Sequence, residues 1–293
     1  MPALVQELTA WFRAHGRDLP WRAPDPDPWG ILVVEVMSQQ TPIARVLPTW
    51  REWTARWPTP ADLAAAGPAE VIRSWGRLGY PRRALALRQA AGEICDRFGG
   101  RVPDREEDLL SLPGVGPYTA AAVRAFAFGE RAVVLDTNIR RVLTRILEGV
   151  ALPPAHVRAG ERRRAEELVP EEGAAAAEWN AAVMEFGALV CTARAPDCPG
   201  CPVSSCAWRE AGFPDNAPAR RSQPWQGSDR QVRGAIMALM RGATGPVTWP
   251  ALRDGVVAAH PKAQPSQVER ALEGLLADRL LTRTGGRAYT LPQ

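Results

Sequence analysis

The sequence predicts a mainly α-helical protein that ends in a small mixed α/β domain. Two observations lead to this prediction. Apolar residues recur at helical spacing through most of the first 213 residues, and no series of strand-like runs precedes residue 220. After residue 230 the pattern changes to a helix, a short strand, two helices and a hairpin. A chain of 293 residues is long enough for two domains of roughly 100–200 residues each.

The N-terminal region is predicted to be a single all-helical domain over residues 1–213. Helical apolar spacing is found over residues 2–14, 28–47, 60–76, 83–98, 106–112 and 119–128. Turns rich in proline and glycine separate these stretches. An arginine-rich helix follows Asp136, and two further helical stretches extend to Val190.

The C-terminal region has a different composition. Residues 214–229 are rich in Pro, Arg, Ser and Gly, which predicts a linker. Residues 230–293 give helix 230–241, strand 247–249, helices 249–259 and 266–280, and two β-prone runs around Gly285-Gly286. This order is typical of a winged helix, and a generic small α+β cap is the alternative.

The composition excludes several classes of protein. Hydrophobic residues make up 46% and charged residues 23%, which is ordinary for a globular chain and excludes wholesale disorder. Neither a signal peptide nor an apolar run of about 18 residues is present, so we expect a cytoplasmic protein with no membrane partner.

The basic residues are almost all arginines. The net charge is +4, and Lys262 is the only lysine. Arginine binds phosphate in a bidentate manner, although a genome rich in G and C would explain the bias equally well.

Four of the five cysteines lie close together, as Cys191, Cys198, Cys201 and Cys206. Their spacing, C-x6-C-x2-C-x4-C, indicates a metal or cluster site. A disulfide framework is the weaker interpretation in a chain without a signal peptide. Structural zinc stays open, but the two evenly spaced C-x2-C pairs of a zinc ribbon are lacking. We therefore favour a four-iron four-sulfur cluster.

Two carboxylates and a glycine turn are the other candidate functional features. Gly114 and Gly116 form a turn whose backbone N–H groups can approach a phosphate, although such a turn is often only structural. Asp136 precedes a helix, where an aspartate is ordinarily an N-cap. Glu35 lies in the apolar helix 31–37, where burial would raise its pKa and suit it to proton donation. The alternative for Glu35 is a structural ion pair with an arginine.

Taken together, these motifs resemble the helix-hairpin-helix DNA glycosylases, in the branch of endonuclease III and the adenine glycosylases. The resemblance covers residues 5–210 and depends on the segment Glu35–Thr41 and on the glycine turn, the segment Val133–Asn138 and the cysteines, which follow one another in that order. It implies a two-lobed all-α fold with a cluster loop at 191–206. The last cysteine interval is four residues here, whereas five are typical of the family.

The resemblance also implies catalytic roles. Glu35 would protonate the departing adenine, and Asp136 would stabilise the oxocarbenium-like sugar. Tyr118 stands where the bifunctional branch has its Schiff-base lysine, which implies a monofunctional enzyme. Tyr118 and Asn138 would support the acid and the attacking water.

Further residues are expected to contact DNA. An extruded base leaves a gap in the duplex that a wedge must fill. The wedge would come from Gln40, Leu78 and Tyr80, and phosphate contacts from Gly114, Gly116 and Arg194. The base pocket would use Arg17, Trp21, Arg22 and Glu185.

The expected partner is double-stranded DNA that contains a mispaired or oxidised base, bound by a monomer at the nucleoid. The expected substrate is adenine opposite 8-oxoguanine or guanine. Many family members end in a Nudix-like domain that recognises 8-oxoguanine, but residues 230–293 are too few and too helical for one. A glycosylase for another target, such as thymine opposite guanine, is one alternative. A non-catalytic, redox-responsive DNA-binding regulator is another, although it would need neither carboxylate.

Overall fold

The computed structural model describes residues 2–217 and 227–293. These residues form two compact units. The first contains residues 2–35, Val102–Ser111 and 115–217, and the second contains Val36–Arg101, Leu112–Gly114 and 227–293. Most of the predicted linker at 214–229 lies outside the described residues. No helix in the described ranges is long and apolar enough to cross a membrane.

The chain is helical up to the C-terminal sheet. In chain order the helices are α1 (Pro2–His15), α2 (Pro28–Ser38), α3 (Ile43–Arg56), α4 (Pro60–Ala65), α5 (Pro68–Trp75), α6 (Arg82–Phe98), α7 (Glu106–Ser111), α8 (Pro117–Phe128), α9 (Thr137–Glu148), α10 (Ala159–Glu166), α11 (Gly173–Leu189), α12 (Ala207–Glu210), α13 (Asp229–Gly242), α14 (Trp249–Ala259) and α15 (Pro265–Ala277). A 3₁₀ turn at Pro20–Arg22 follows α1. The prediction of a mainly helical fold is confirmed.

The core of the first unit is built around α11. Helices α1, α8 and α9 pack against it, and Leu8, Trp179 and Phe186 are almost fully buried among them. Gly187 allows the close approach of α11 to α9, because a Cβ at this position would lie 2.8 Å from Cβ of Asn138. The packing of these helices therefore fixes the start of α9, where Asp136 and Asn138 lie.

Two of the predicted helices are each divided into two shorter helices in the structure, and both breaks lie in the second unit. The predicted helix 28–47 is two helices, α2 and α3, because Pro42 starts a new helix and Gln40 adopts a positive φ of 56°. The predicted helix 60–76 is also two, since Gly67 and Pro68 begin α5. Trp53 and Trp75 pack edge to face at 5.3 Å between ring centroids and are almost fully buried.

The C-terminal elements follow the predicted order. Strands β1 (Val247–Thr248), β2 (Thr282–Thr284) and β3 (Ala288–Thr290) form an antiparallel sheet in the order β1-β3-β2, in which Tyr289 pairs with both Val247 and Arg283. Tyr289 is buried in a core that this region shares with Ile72 of α5. The hairpin predicted around Gly285-Gly286 is confirmed.

Candidate active site

Glu35 is a buried acid in an otherwise apolar helix. Its side chain lies on α2, among residues that are almost completely buried, and only 8% of Glu35 is exposed. Its Oε2 accepts a hydrogen bond of 2.8 Å from the hydroxyl of Tyr118. Burial raises the pKa of Glu35 to about 7, against the hydrogen bond from Tyr118, and the charge of Asp136 adds to the rise. A substantial fraction of Glu35 is therefore protonated at neutral pH, as proton donation requires.

Asp136 is both a helix cap and a half-buried acidic group. Its Oδ1 accepts a 2.6 Å hydrogen bond from the backbone N–H of Ile139, which makes it the N-cap of α9. Its Oδ2 accepts a 2.7 Å bond from Nδ2 of Asn138. Burial raises the pKa of Asp136, while these hydrogen bonds oppose the rise. Both oxygens are held in place, and the charge of Asp136 contributes to the raised pKa of Glu35, so the two carboxyls interact electrostatically.

Asn138 is oriented by Arg141, a residue that the sequence analysis did not single out. Nη2 of Arg141 donates to Oδ1 of Asn138 at 2.9 Å and to the carbonyl of Gly187 at 2.6 Å. Its Nε donates to the carbonyl of Cys191 at 2.8 Å. Continuous hydrogen bonds thus connect Asp136 with the first residue of the cysteine loop. Nothing in the pattern of the arginine-rich helix separates Arg141 from its arginine neighbours.

Glu35 lines a cleft of about 520 Å³ in the first unit. Trp21 and Arg22, which were predicted for the base pocket, also line it. Other lining residues that the sequence analysis missed are Phe12, Phe126 and Met184. Aromatic and thioether side chains together with a few polar groups are suited to a planar, polar-edged ligand such as a base.

Glu185 does not line the cleft, but it binds Arg22, which does. Only 1% of Glu185 is exposed, and its carboxylate accepts hydrogen bonds from Arg17 at 2.6 and 2.8 Å and from Arg22 at 2.9 Å. Burial opposes ionisation, but the hydrogen bonds from Arg17 and Arg22 prevail and lower the pKa of Glu185 to about 2. Glu185 is therefore ionised, and it fixes the position of Arg22.

The predicted wedge residues lie in the second unit and differ in exposure. Gln40 is exposed and Tyr80 is 46% exposed, and both have positive φ, at 56° and 47°. This conformation costs a residue other than glycine about 1–2 kcal/mol. Leu78 is only 5% exposed, so the expectation that it inserts into the duplex needs correction. Its side chain is packed inside the second unit, and Tyr80 is the exposed one.

The two glycines of the predicted phosphate turn are not equivalent. Gly114 has a φ of 80°, and a Cβ here would come within 2.9 Å of Cβ of Ala86. Gly116 has a φ of −104°, which any residue can adopt, and it precedes α8 as the N-cap. Backbone conformation therefore requires glycine at Gly114 alone. At Gly116 the absence of a side chain leaves the N-terminus of α8 open to an anion.

The four clustered cysteines surround one small cavity of about 20 Å³. Nη1 of Arg145 lies 3.4 Å from Sγ of Cys191, and its guanidinium lies 4.4 Å from the ring of Trp208. Burial and the thiols of Cys191 and Cys206 raise the pKa of Cys198. Within the described ranges, no three His, Cys, Asp or Glu side chains are close enough to hold a single metal ion. Arg194 is exposed in the loop between Cys191 and Cys198.

Known proteins match this chain in sequence. The model of the HhH-GPD superfamily of base excision DNA repair proteins matches residues 33–158. An adenine DNA glycosylase from Mycolicibacterium smegmatis is 48% identical over 285 residues, covering 97% of this chain and 94% of that protein. The chain belongs to the adenine DNA glycosylase family. The resemblance expected from the motifs is confirmed.

Solved structures share the fold of this adenine DNA glycosylase family member. A thermostable thymine-DNA glycosylase matches with a TM-score of 0.64 and 30% identity, over 72% of this chain and 96% of that chain. A trapped covalent endonuclease III–DNA intermediate, an estranged-adenine complex, matches with a TM-score of 0.62 and 25% identity, over 73% and 97%. The helix-hairpin-helix glycosylase fold is thereby confirmed.

Proposed function

We propose that this enzyme removes adenine paired with 8-oxoguanine or guanine in duplex DNA, acting as a monomeric, monofunctional N-glycosylase at the nucleoid. Removal of adenine in base excision repair is the activity of the family to which the chain belongs. The observation that carries the assignment of residues is the buried Glu35, with a pKa of about 7 on the wall of a base-sized cleft. The identity of the base opposite adenine, 8-oxoguanine or guanine, belongs to this proposal.

The proposed reaction begins when the protonated carboxyl of Glu35 delivers its proton to the adenine ring. The anionic base is a poor leaving group, and protonation makes it a neutral one. The glycosidic bond then breaks, and the ionised carboxylate of Asp136 stabilises the positive charge on the sugar. A water molecule positioned by Asn138 and Tyr118 adds to the sugar, and its released proton returns to the carboxylate of Glu35, which leaves an abasic site and the protonated acid.

The absence of a lysine at the hairpin supports a monofunctional reaction. Tyr118 occupies the position of the Schiff-base lysine, and its hydroxyl is a hydrogen-bond donor to Glu35. Lys262, the only lysine, lies in the C-terminal region, beyond α14. We therefore propose that the DNA backbone stays intact after adenine is released.

Excision on defined duplexes tests the proposed function. Purified enzyme is incubated with duplexes containing A:8-oxoguanine, A:G, T:G or A:T pairs, and alkali then converts abasic sites to strand breaks. Breaks at A:8-oxoguanine and A:G, and only after alkali, are expected. Breaks at T:G would favour the second candidate, thymine excision, which the structural similarity to a thymine-DNA glycosylase motivates. Binding without breaks in any duplex would refute both.

The rate of excision should depend on pH with a decline on the alkaline side. Above about pH 7 Glu35 loses its proton, so the single-turnover rate constant should fall about tenfold per pH unit. At acid pH it should fall again, because the raised pKa of Asp136 allows that carboxylate to become neutral. Single-turnover rates measured across pH check both limbs. A rate that stays constant from neutral to alkaline pH would remove the assigned role of Glu35.

We further propose that the four cysteines hold a four-iron four-sulfur cluster. The donor set fits, because four thiols surround one cavity and Arg141 and Arg145 supply positive charge beside Cys191. When bound, such a cluster would cross-link the loop from Cys191 to Cys206 and hold the exposed Arg194 for phosphate contact. Base removal itself is carried out by side chains of the first unit.

Measurements of iron and sulfide content and of the visible absorption spectrum test whether the cysteines hold a cluster. Anaerobically purified enzyme should be brown, with about four iron and four sulfide per chain. Cys198→Ser should lower both contents and bleach the visible band. Cys95→Ser is the matched control, since Cys95 lies on α6, far along the chain from the cysteine loop. A colourless protein that contains zinc would replace the cluster with a structural zinc site.

We propose that residues 230–293 form a winged-helix-like domain appended to the glycosylase domain of residues 1–213. The element order and the three-stranded β1-β3-β2 sheet support this assignment. We assign recognition of the partner base to the glycosylase domain, because its wedge candidates Gln40 and Tyr80 are exposed.

A further inference from the structure

The guanidinium group of Arg83 donates hydrogen bonds to five backbone carbonyls. It lies in the first turn of α6, and its Nη1 donates to the carbonyls of Val36 at 2.8 Å, Met37 at 3.2 Å and Gln39 at 2.6 Å. Its Nη2 faces Oγ1 of Thr41 at 3.2 Å and the carbonyls of Leu78 and Gly79 at 3.4 and 3.1 Å. All seven residues belong to the second unit. One guanidinium thus joins two loops that are almost forty residues apart in the chain.

Each of the two joined loops carries one of the two exposed wedge candidates, and both candidates have positive φ. Gln40 follows Gln39 directly, and Tyr80 follows Gly79 directly. The guanidinium also lies 5.5 Å from the ring centroid of Tyr80. A residue other than glycine stays in this region only when its surroundings over-determine it. Arg83 supplies these surroundings for both residues at once.

The position of Arg83 on its own helix is electrostatically unfavourable. A cation in the first turn of a helix opposes the helix dipole, and α6 has no acidic residue in its first turn to compensate. The last carbonyls of α2 provide the compensation, because the C-terminal end of a helix attracts a cation. Burial lowers the pKa of Arg83 to about 10, so the side chain remains a cation at neutral pH.

We infer that Arg83 is a positioning residue that holds Gln40 and Tyr80 in the backbone conformation in which they enter the duplex, so that the energy for extruding the base is not spent on ordering the two loops. This inference rests on the proposed function, since it assumes that Gln40 and Tyr80 form the wedge. It predicts that Arg83 matters for extrusion of a stacked base, and that it does not matter for cleavage of the glycosidic bond once the base is free.

The test compares Arg83→Lys with wild type on two substrates in single-turnover assays. On an A:G duplex, the lysine variant should excise adenine about 100-fold more slowly, because a point charge cannot bind six acceptors and the wedge loops shift. On a duplex in which the adenine is an unpaired bulge, the rate should change little. Arg82→Lys is the matched control, since Arg82 is 70% exposed and pairs only with Asp278 within the described ranges. It should behave as wild type on both duplexes.

A second variant covers the case in which Arg83→Lys is poorly folded. Thr41→Val removes one acceptor of the guanidinium without a change of charge, and it should slow the A:G duplex in the same direction by a smaller factor. Adding Arg83→Lys to the double variant Gln40→Ala/Tyr80→Ala should lower the excision rate little further, because the side chains that Arg83 positions have already been removed. Thermal unfolding of each variant is measured in parallel.

The outcomes separate this inference from the proposed function. If wild type fails to excise adenine from the A:G duplex, the proposed function is wrong. If wild type is active and Arg83→Lys slows both substrates equally, or neither, the positioning role is refuted. Additive losses in the triple variant would also refute it.

Discussion

Glu35→Gln is expected to slow adenine release from an A:8-oxoguanine duplex by about 1,000-fold under single turnover. Glutamine keeps the size of the side chain and can accept the hydrogen bond from Tyr118, but its amide has no acidic proton that could be transferred to the base. The measurement is the rate constant at neutral pH, with binding to the same duplex as a second readout. Binding should be retained, because the substitution removes an interaction of the transition state and not of the bound ground state.

Stability provides the control for this variant. Folding raises the pKa of Glu35 from 4.5 to about 7, so the folded state takes up a proton between these values. The free energy of unfolding therefore falls as pH rises through that window, by up to about 3 kcal/mol. Glutamine has no such dependence. The Tm of Glu35→Gln relative to wild type should consequently increase from acid to alkaline pH, and an inactive but more stable variant at alkaline pH would exclude misfolding. A variant that retains wild-type turnover would contradict the assignment of Glu35 as the acid.

Asp136→Asn is expected to slow excision by about 100- to 1,000-fold. The substitution removes a fixed negative charge beside the developing positive charge on the sugar. The fold should survive, because asparagine is also a good N-cap and its amide oxygen can still accept from the N–H of Ile139. The bond from Nδ2 of Asn138 is lost, since two amide groups would then both present donors. Single-turnover rates and circular dichroism together check this prediction.

Asp62→Asn is a matched control for Asp136→Asn. Asp62 is an acidic residue in the first turn of α4, where it forms a capping box with Thr59. Its replacement changes a carboxylate at a helix N-terminus without affecting the cleft, and it should leave the excision rate unchanged. If Asp62→Asn slowed excision as much as Asp136→Asn, the loss would reflect helix capping and not the chemistry of the sugar.

The sequence predicted the fold and the principal residues well where the signal was local. The position of Asp136 before a helix, the apolar surroundings of Glu35 and the spacing of the cysteines are visible in short windows of the chain. They led to the correct family and to a buried acid whose pKa is raised. The hairpin around Gly285-Gly286 was predictable for the same reason, because its turn and its two β-prone runs are adjacent in the chain.

Features that depend on tertiary contacts were not predictable. The apolar character of Leu78 suggested insertion into DNA, but an apolar residue in a loop is equally suited to burial, and only the packing of the second unit decides between them. The break between α2 and α3 is similar, since its helical spacing continues through residues 39–42. Arg83 and Arg141 are two arginines among thirty-five, and their roles depend on carbonyls from distant parts of the chain.

The carboxylate of Glu185 has a consequence for the N-terminal segment. Both of its cationic partners, Arg17 and Arg22, come from the short segment after α1, whereas Glu185 comes from α11. A protein that began after Arg22 would leave the carboxylate of Glu185 without these two cationic partners. An unpaired carboxylate in a protein interior is costly in free energy. A chain that began at Met37 would lack Glu35 as well as both arginines, so the segment before Met37 supplies the proposed acid and also the cations that neutralise Glu185.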